Sequence, residues 1–344
     1  MNAASAFPRS LPEFVKMFPD DAACAKYLEA VRWPEGFRCP ACNVTGDPFR
    51  FANRPGVLRC RACRKDASLT AGTVMHRSHS PLTQWFWAAY FVSTQTNGFS
   101  AVQFQRQIGI GRYETAFQML HKLRAGMVRP DADRIGGKQQ RIEMDETLVG
   151  GATRGEGKGV HHKVYVVGAV EVKDRPPVAE GKTPTKAMLR RAGRYAGRLR
   201  LRVIPDRTHA SLLDFARASI AQGTLVTTDD WGGYDQLASD CGVYHTQVAE
   251  RGDHEIAEQH LPLIHLVFSN LKSWLLGTHH AVSPQHLQAY CNEFVFRFNR
   301  RFYPFNGFRS LLGLAAHNEA PTYDALYDGE WVHPQAAGKW ELTG

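Results

Sequence analysis

Apolar positions recur along the chain at more than one spacing, and the changes in spacing outline its organisation. From about residue 79 to 128 the spacing is helical, through "SPLTQWFWAAYFVST" and then "GFSAVQFQRQIGIGRYETAFQMLHKLRAGM". Ser100 is placed to cap a short helix, and "GIGR" breaks the pattern before Tyr113 starts a second one. After the polar stretch "RPDADRIGGKQQ" the pattern becomes strand-like. Strands are predicted over "RIEMDETLVGG", "HKVYVVGAVEV", "RLRLRVIPDR" and "GTLVTTDDW", with a helix over "SLLDFARASI" before the last of them. Further on, "LPLIHLVFSNLKSWLLGTHH" (261–280) reads as an apolar helix with His265, Ser269 and Lys272 on one stripe.

Three strands, a helix and a fourth strand is the order of a ribonuclease H-like α/β domain, a mixed sheet with flanking helices. That domain sets carboxylates from its first and fourth strands side by side, and a group from its last helix beside them. In the first strand Ile142 and Met144 alternate with Glu143 and Asp145, so Asp145 faces away from the Ile142 side and Glu146 shares it. Asp145 is the first candidate ligand, with Glu143 and Glu146 behind it. At the end of the fourth strand Asp229 and Asp230 are alternatives. Acids at the ends of apolar strands suit hard oxygen coordination of Mg²⁺ or Mn²⁺.

Composition narrows the partners. Lys and Arg number 42 against 33 acids, a formal net charge of +9 in a chain whose 22% charged residues are ordinary for a globular protein. A polyanion follows, nucleic acid before a membrane surface. No signal peptide is evident, and runs such as "WFWAAYFV" fall far short of the roughly 20 residues of a membrane span. The expectation is a cytoplasmic protein, nucleoid-associated when on DNA. Its helical hairpin resembles a helix-turn-helix, though other helical hairpins share the pattern, and Arg106, Arg112 and Lys122 are its candidate DNA contacts. The stretch "KTPTKAMLRRAGRYAGRLRLR" is either a DNA track or a basic loop without fixed contacts.

The seven cysteines are not a disulfide set in a reducing compartment. Cys39-x₂-Cys42 and Cys60-x₂-Cys63 have the spacing of a zinc ribbon, whose two knuckles close a tetrahedral four-thiolate site with no open position, hence structural. Arginines around it, among them Arg38, Arg50, Arg54, Arg59, Arg61 and Arg64, are placed to touch phosphates. Cys24, Cys241 and Cys291 read as inert core residues.

The ribbon, "IEMDETLVGG", "VTTDDWGGYDQL" and "SNLKSWLLGTHHAVSPQHLQAYCNEFVFRFNRR", in this order, resemble the zinc-ribbon DDE transposases of bacterial insertion sequences, relatives of the Merlin transposons. The likeness runs from about residue 20 to 315. It implies an enzyme, a polynucleotidyl transferase that binds terminal inverted repeats, cuts transposon ends and joins them to target DNA. Its partners are DNA and further copies of itself, in a homodimer or larger assembly. Carried over by motif, Asp145 and Asp229 match the two catalytic aspartates and Lys272 a lysine near the transposon end. Where relatives with a complete triad have Glu, seven residues before that lysine, this chain has His265.

His265 is read as a metal ligand, as a phosphate- or water-positioning group with Glu255 or Glu258 supplying charge, or as a core histidine of an enzyme that has lost activity. The last leaves a zinc-ribbon DNA-binding protein without catalysis. The expected segments are an N-terminal extension (1–20), the ribbon (21–75), the helix-turn-helix-like segment (79–128), the catalytic domain (138–315) and a tail (316–344).

Overall fold

The computed structural model describes residues 7–128, 133–150, 163–176, 178, 181–183, 185–186, 193–249, 256, 259–280 and 282–317. They fall into two compact units, one built from the N-terminal part up to residue 129 together with the segment from residue 300, the other from residues between 130 and 299.

The first unit joins the ribbon to helices. Strands β1 (Phe49–Phe51), β2 (Arg54–Arg59) and β3 (Asp66–Ser68) form an antiparallel sheet in that order. Helices Leu11–Met17, Asp21–Arg32, Leu82–Thr94 and Pro304–His317 meet in an aromatic core of Phe14, Phe18, Tyr27, Phe86, Tyr90 and Phe308, with ring centroids 4.4 to 6.2 Å apart. Such contacts add stabilisation beyond simple area burial. Phe14 therefore ties the expected N-terminal extension into this unit. Likewise the helix Pro304–His317, expected within the catalytic segment, packs here, its Ala315 carbonyl accepting from the Val74 amide at 3.2 Å.

Helices Ala101–Ile108 and Tyr113–Gly126 form the predicted hairpin. Ser100 Oγ accepts from the Gln103 amide at 3.1 Å, a cap worth about 1 kcal/mol. Gly109 ends the first helix at φ +69°, where a side chain would be strained.

In the second unit, β5 (Arg141–Val149), β6 (Val164–Asp174) and β7 (Arg194–Ile204) are antiparallel, while β9 (Leu225–Asp229) and β10 (Tyr244–Val248) add in parallel on the other side of β5. The sheet order is β10-β9-β5-β6-β7, so the first and fourth long strands are neighbours at its centre, the ribonuclease H-like arrangement. A small parallel pair, β4 (Ile135–Gly136) and β8 (Ile220–Ala221), stands apart from it.

Helix His209–Ser219 covers one face with a core of Ile142, Met144, Leu212 and Phe215. Helices Pro262–Trp274 and Pro284–Asn299 cover the other, with Val166, Val170, Leu201, Ile264, Val267 and Cys291. Burial on both faces explains why β6 reads as an almost unbroken apolar run.

Candidate metal centres and DNA-binding surface

The two knuckles of the ribbon are the same device used twice. In one, the Asn43 amide bonds the Cys39 carbonyl at 2.8 Å and the Cys39 amide bonds the Val44 carbonyl at 3.0 Å. In the other, Arg64 to Cys60 and Cys60 to Lys65 repeat both bonds at 3.0 Å. Asn43 and Arg64, each just after the second cysteine, take φ of +58° and +63°, which turns each knuckle back on itself. The four sulfurs lie within 4.8 Å of one another, with Cys39–Cys63 and Cys42–Cys60 both at 3.7 Å. Four sulfurs at about 2.3 Å from a tetrahedral zinc stand nearly 3.8 Å apart, so the cysteines fit the ion without rearrangement.

The basic rim is less open than its sequence suggests. Arg50 is paired with Glu29 and Asp47, both at 2.7 Å, and Arg59 with Asp66 at 2.6 Å, while Arg54 stacks on Phe51. Arg38, Arg64 and Lys65 are exposed. On the hairpin Arg106 and Arg112 are exposed as expected. Arg112 borders a cavity of about 470 Å³ with Arg77, His79, Gln84 and Gly111. Lys122 corrects its expectation. It is buried on the inner side of its helix, and its ammonium donates to the His76 carbonyl at 2.9 Å, with burial lowering its pKa. A long aliphatic stem can be buried if the tip finds an acceptor.

Much of the basic stretch before residue 202 is strand, not loop. Arg198 pairs with buried Glu171 at 2.9 Å and with Asp133 at 2.8 Å, and Arg202 with Asp214 at 2.7 Å; Arg190 and Arg191 lie outside the described residues. Near the end of the second unit Phe294 and Phe298 stack on one another, whereas Phe302 is exposed beyond the helix end.

The acidic centre is set by strand register. β5 and β9 pair at Arg141–Leu225, Ile142–Val226 and Glu143–Thr227, and there the ladder ends. Asp145 and Asp229 each stand two residues beyond the last pair, hence level with one another and on the same face. Crevices outside the carboxyl ends of parallel strands are where α/β sheets place their chemistry. Carboxylate oxygens of Asp145, Glu146 and Asp229 lie within 4.8 Å of one another, whereas Asp230 is exposed and outside the cluster. Burial first, then the Asp145 charge, raises the Asp229 pKa. Glu146 is pushed up to about 7 by burial and by Asp145 and Asp229, against the lowering effect of its bond from Tyr234. Acids held in this way favour a counter-cation.

The helix Pro262–Trp274 completes the centre, and two residues of the sheet determine its position. Glu143, two residues before Asp145 and 2% exposed, accepts from the Leu263 and Ile264 amides at 2.7 and 2.9 Å, holding the first turn where unpaired amides suit a negative charge. Gly168 lies opposite Asp145 in the β5–β6 ladder, and a Cβ there would come within 2.9 Å of both Ile264 and Leu201 side chains. The helix thus sits close over the strand. His265 Nε2 lies 3.2 Å from Asp145 Oδ2.

Lys272 is exposed along the same stripe. Partial desolvation lowers its ammonium pKa while the Asp145 charge opposes that change. After Trp274 the helix widens into a π turn, Leu275–His279, a form that recurs at functional sites.

The segment carrying these acids, residues 137–299, matches the model of the ISXO2-like transposase domain, and residues 19–66 match the transposase zinc-ribbon domain. The two matches together span more than half of the chain. It belongs to the zinc-ribbon DDE transposases. No curated protein and no solved structure matches it.

A transposase of this kind binds DNA, contains structural zinc in its ribbon and works with a catalytic divalent metal. The four thiolates fit the first ion and the clustered carboxylates the second. Among the described residues no helix is long and apolar enough to cross a membrane. Glu255 and Glu258, alternatives for supplying charge, lie outside the described residues.

Four contributors are not evident from the sequence: the capping role of Glu143, the close approach at Gly168, the bond from Tyr234 to Glu146 and the Arg207 guanidinium 3.7 Å from Glu146 Oε1. The strand alternation that singled out Asp145 already put Glu143 on the same face. Only the fold reveals that a helix begins above it.

Proposed function

We propose that this transposase binds the terminal inverted repeats of its insertion sequence, cuts a DNA strand at each end and transfers the ends into target DNA. The observation that carries the reading is the convergence of Asp145 and Asp229 just beyond the last pair of two adjacent parallel strands, within the segment matched by the transposase domain. Phosphodiester transfer asks a protein mainly for positioning and for neutralisation of charge. Divalent ions bound by these residues would activate a water or a 3′-hydroxyl and stabilise the leaving oxygen.

Asp145 is central, level with Asp229 and 3.2 Å from His265, and would be the carboxylate shared between bound metal ions. Asp229 would hold metal beside it. His265 would offer an imidazole nitrogen, a donor that suits Mn²⁺ better than Mg²⁺. Lys272 provides a point charge for a DNA phosphate. Arg106 and Arg112, exposed on the helical hairpin, are assigned to the DNA backbone. Two ends must be brought together, so the working form is a homodimer or larger assembly on DNA.

The test is a gel assay with zinc-loaded protein, DNA carrying the element's own terminal repeats, and Mg²⁺ or Mn²⁺. Ends cut and joined, faster in Mn²⁺, support the reading. Ends bound but uncut in either metal indicate a DNA-binding protein without catalysis, and branched DNA cut regardless of sequence indicates a junction nuclease. Equal activity of His265→Ala and the unsubstituted protein in both metals would remove His265 from the ligand set.

A further inference from the structure

His265 brings no negative charge to a centre built for divalent ions, and the fold supplies a carboxylate from an unexpected side. We propose that Glu146 is the third carboxylate of the divalent centre, reaching it from the opposite face of the sheet through the gap between β5 and β9. The proposal rests on the divalent-metal reading of Asp145 and Asp229 given above.

Neighbouring residues of a regular strand face opposite ways, so Asp145 and Glu146 ought to be separated by the sheet itself. Asp145 lies on the face that meets the His265 helix. Glu146 lies on the face of Ile142 and Met144, where Tyr234 is buried with them. Were β5 and β9 still paired at this level, the backbone of β9 would stand between the two carboxylates. The β5–β9 ladder ends at Glu143–Thr227, however. Beyond it β5 is held by β6, through Asp145–Gly168 and Glu146–Val167, while β9 is held by β10, through Thr228–Gln247 and Asp229–Val248.

The two strands are therefore each tied to an outer neighbour and open between them at the level of the aspartates. Through that opening the longer side chain of Glu146 brings an oxygen within 4.8 Å of oxygens of both Asp145 and Asp229.

The surroundings of Glu146 hold it in this position. Its side chain is 6% exposed, Tyr234 donates its hydroxyl to Oε2 at 2.6 Å, and Arg207 stands 3.7 Å from Oε1 with its guanidinium over the Trp231 ring. A purely structural role would be to accept from Tyr234, which a glutamine amide oxygen does equally well; the one Arg207 guanidinium at 3.7 Å, itself 44% exposed, does not balance three clustered carboxylates. A third buried acid beside two others makes sense when a cation is shared among them. Oε2 accepts from Tyr234, while Oε1 has only the Arg207 guanidinium at 3.7 Å, beyond hydrogen-bond distance, and is the oxygen assigned to coordinate.

The test is Mn²⁺ binding to the full-length, zinc-loaded protein without DNA, followed by calorimetry and by the electron paramagnetic resonance of bound Mn²⁺. Glu146→Gln preserves shape and the bond from Tyr234, so it is expected to fold, with thermal melting as the check. Glu146→Asp keeps the charge but lacks the reach. Both are expected to weaken Mn²⁺ binding at least tenfold and to alter the resonance of what remains bound. Mn²⁺ binding by Glu146→Gln that equals the unsubstituted protein, alongside loss of binding in Asp145→Asn, overturns the role of Glu146 and leaves the metal reading standing. Absence of Mn²⁺ binding by the unsubstituted protein, or equal binding by Asp145→Asn, overturns both.

Discussion

The ribbon and the acidic centre are both places for a cation, built in opposite ways. The ribbon's four ligands come from residues 39 to 63, in two knuckles with matching hydrogen bonds and matching left-handed turns. The acidic centre draws Asp145 and Glu146 from one strand, Asp229 from another and His265 from a helix, and is assembled only when β5, β9 and that helix come together. Four soft thiolates enclose an ion completely and stabilise a fold too small to stabilise itself. Converging carboxylates left partly open hold an ion where substrate can reach it, at the expense of local stability. The contrast teaches that closure serves folding and openness serves chemistry.

Breaking the closed centre should have the largest effect. Structural zinc contributes about 10 kcal/mol or more to folding of small zinc modules. Cys60→Ser, or chelation, should therefore abolish zinc content and hydrogen-exchange protection in β1–β3. Exchange in the second unit should be unchanged. Unaltered protection of the ribbon after zinc loss would show that the thiolate site does not support the fold.

Breaking the open centre should do the reverse. Asp145→Asn or Asp229→Asn is expected to lower DNA cleavage by about 10³-fold, roughly 4 kcal/mol of transition-state stabilisation. In calorimetric melting without divalent metal these variants should be as stable as the unsubstituted protein or slightly more so, since a repelled charge has gone. Destabilisation by several kcal/mol would place these acids among the fold's supports.

A smaller effect separates position from charge. Gly168→Ala adds a methyl group where the His265 helix meets the sheet, and overpacking of this kind costs about 2 kcal/mol. A displacement of a few tenths of an ångström at His265 should slow cleavage about tenfold while zinc content is unchanged. Retained cleavage would show that the close approach is not needed for activity.

Glu171 gives a benchmark for an acid serving the fold. Burial alone would raise its carboxyl, but the Arg198 guanidinium and the Gly136 and Arg198 amides bring it down to about 2, the opposite direction from Glu146. Because the folded-state value is depressed, its contribution is fully present above about pH 4.5 and is lost as pH falls toward 2. Glu171→Gln should then lower stability by about 2 kcal/mol at pH 7, with the difference in melting temperature shrinking toward pH 2. A difference independent of pH would remove the ion pair as its cause.

How much could be read from the sequence differs between the two centres for a physical reason. Ribbon ligands are fixed by local spacing, so Cys39, Cys42, Cys60 and Cys63 are evident from a short stretch. The order of strands was legible from apolar alternation; the choice of Asp229 over Asp230 as the partner of Asp145 came from the family resemblance. Burial and ion pairing were not legible. Lys122 looked like a DNA contact because a basic residue on a helix gives no sign of which way it faces until neighbouring helices are placed. Arg198 and Arg202 likewise gave no hint of Glu171 and Asp214, distant along the chain. Glu146 ranks behind Asp145 in the sequence, where alternation sends it to the far face. A ladder that stops at Glu143 and Thr227 is visible only in the folded sheet.

The most direct test of the account is strand transfer on the element's own ends. With zinc-loaded protein, terminal-repeat DNA, target DNA and Mn²⁺, cut ends and joined products are expected from the unsubstituted chain. Asp145→Asn should bind the same ends and yield neither product. Ends bound but never cut by the unsubstituted chain, or products formed equally by Asp145→Asn, would contradict it.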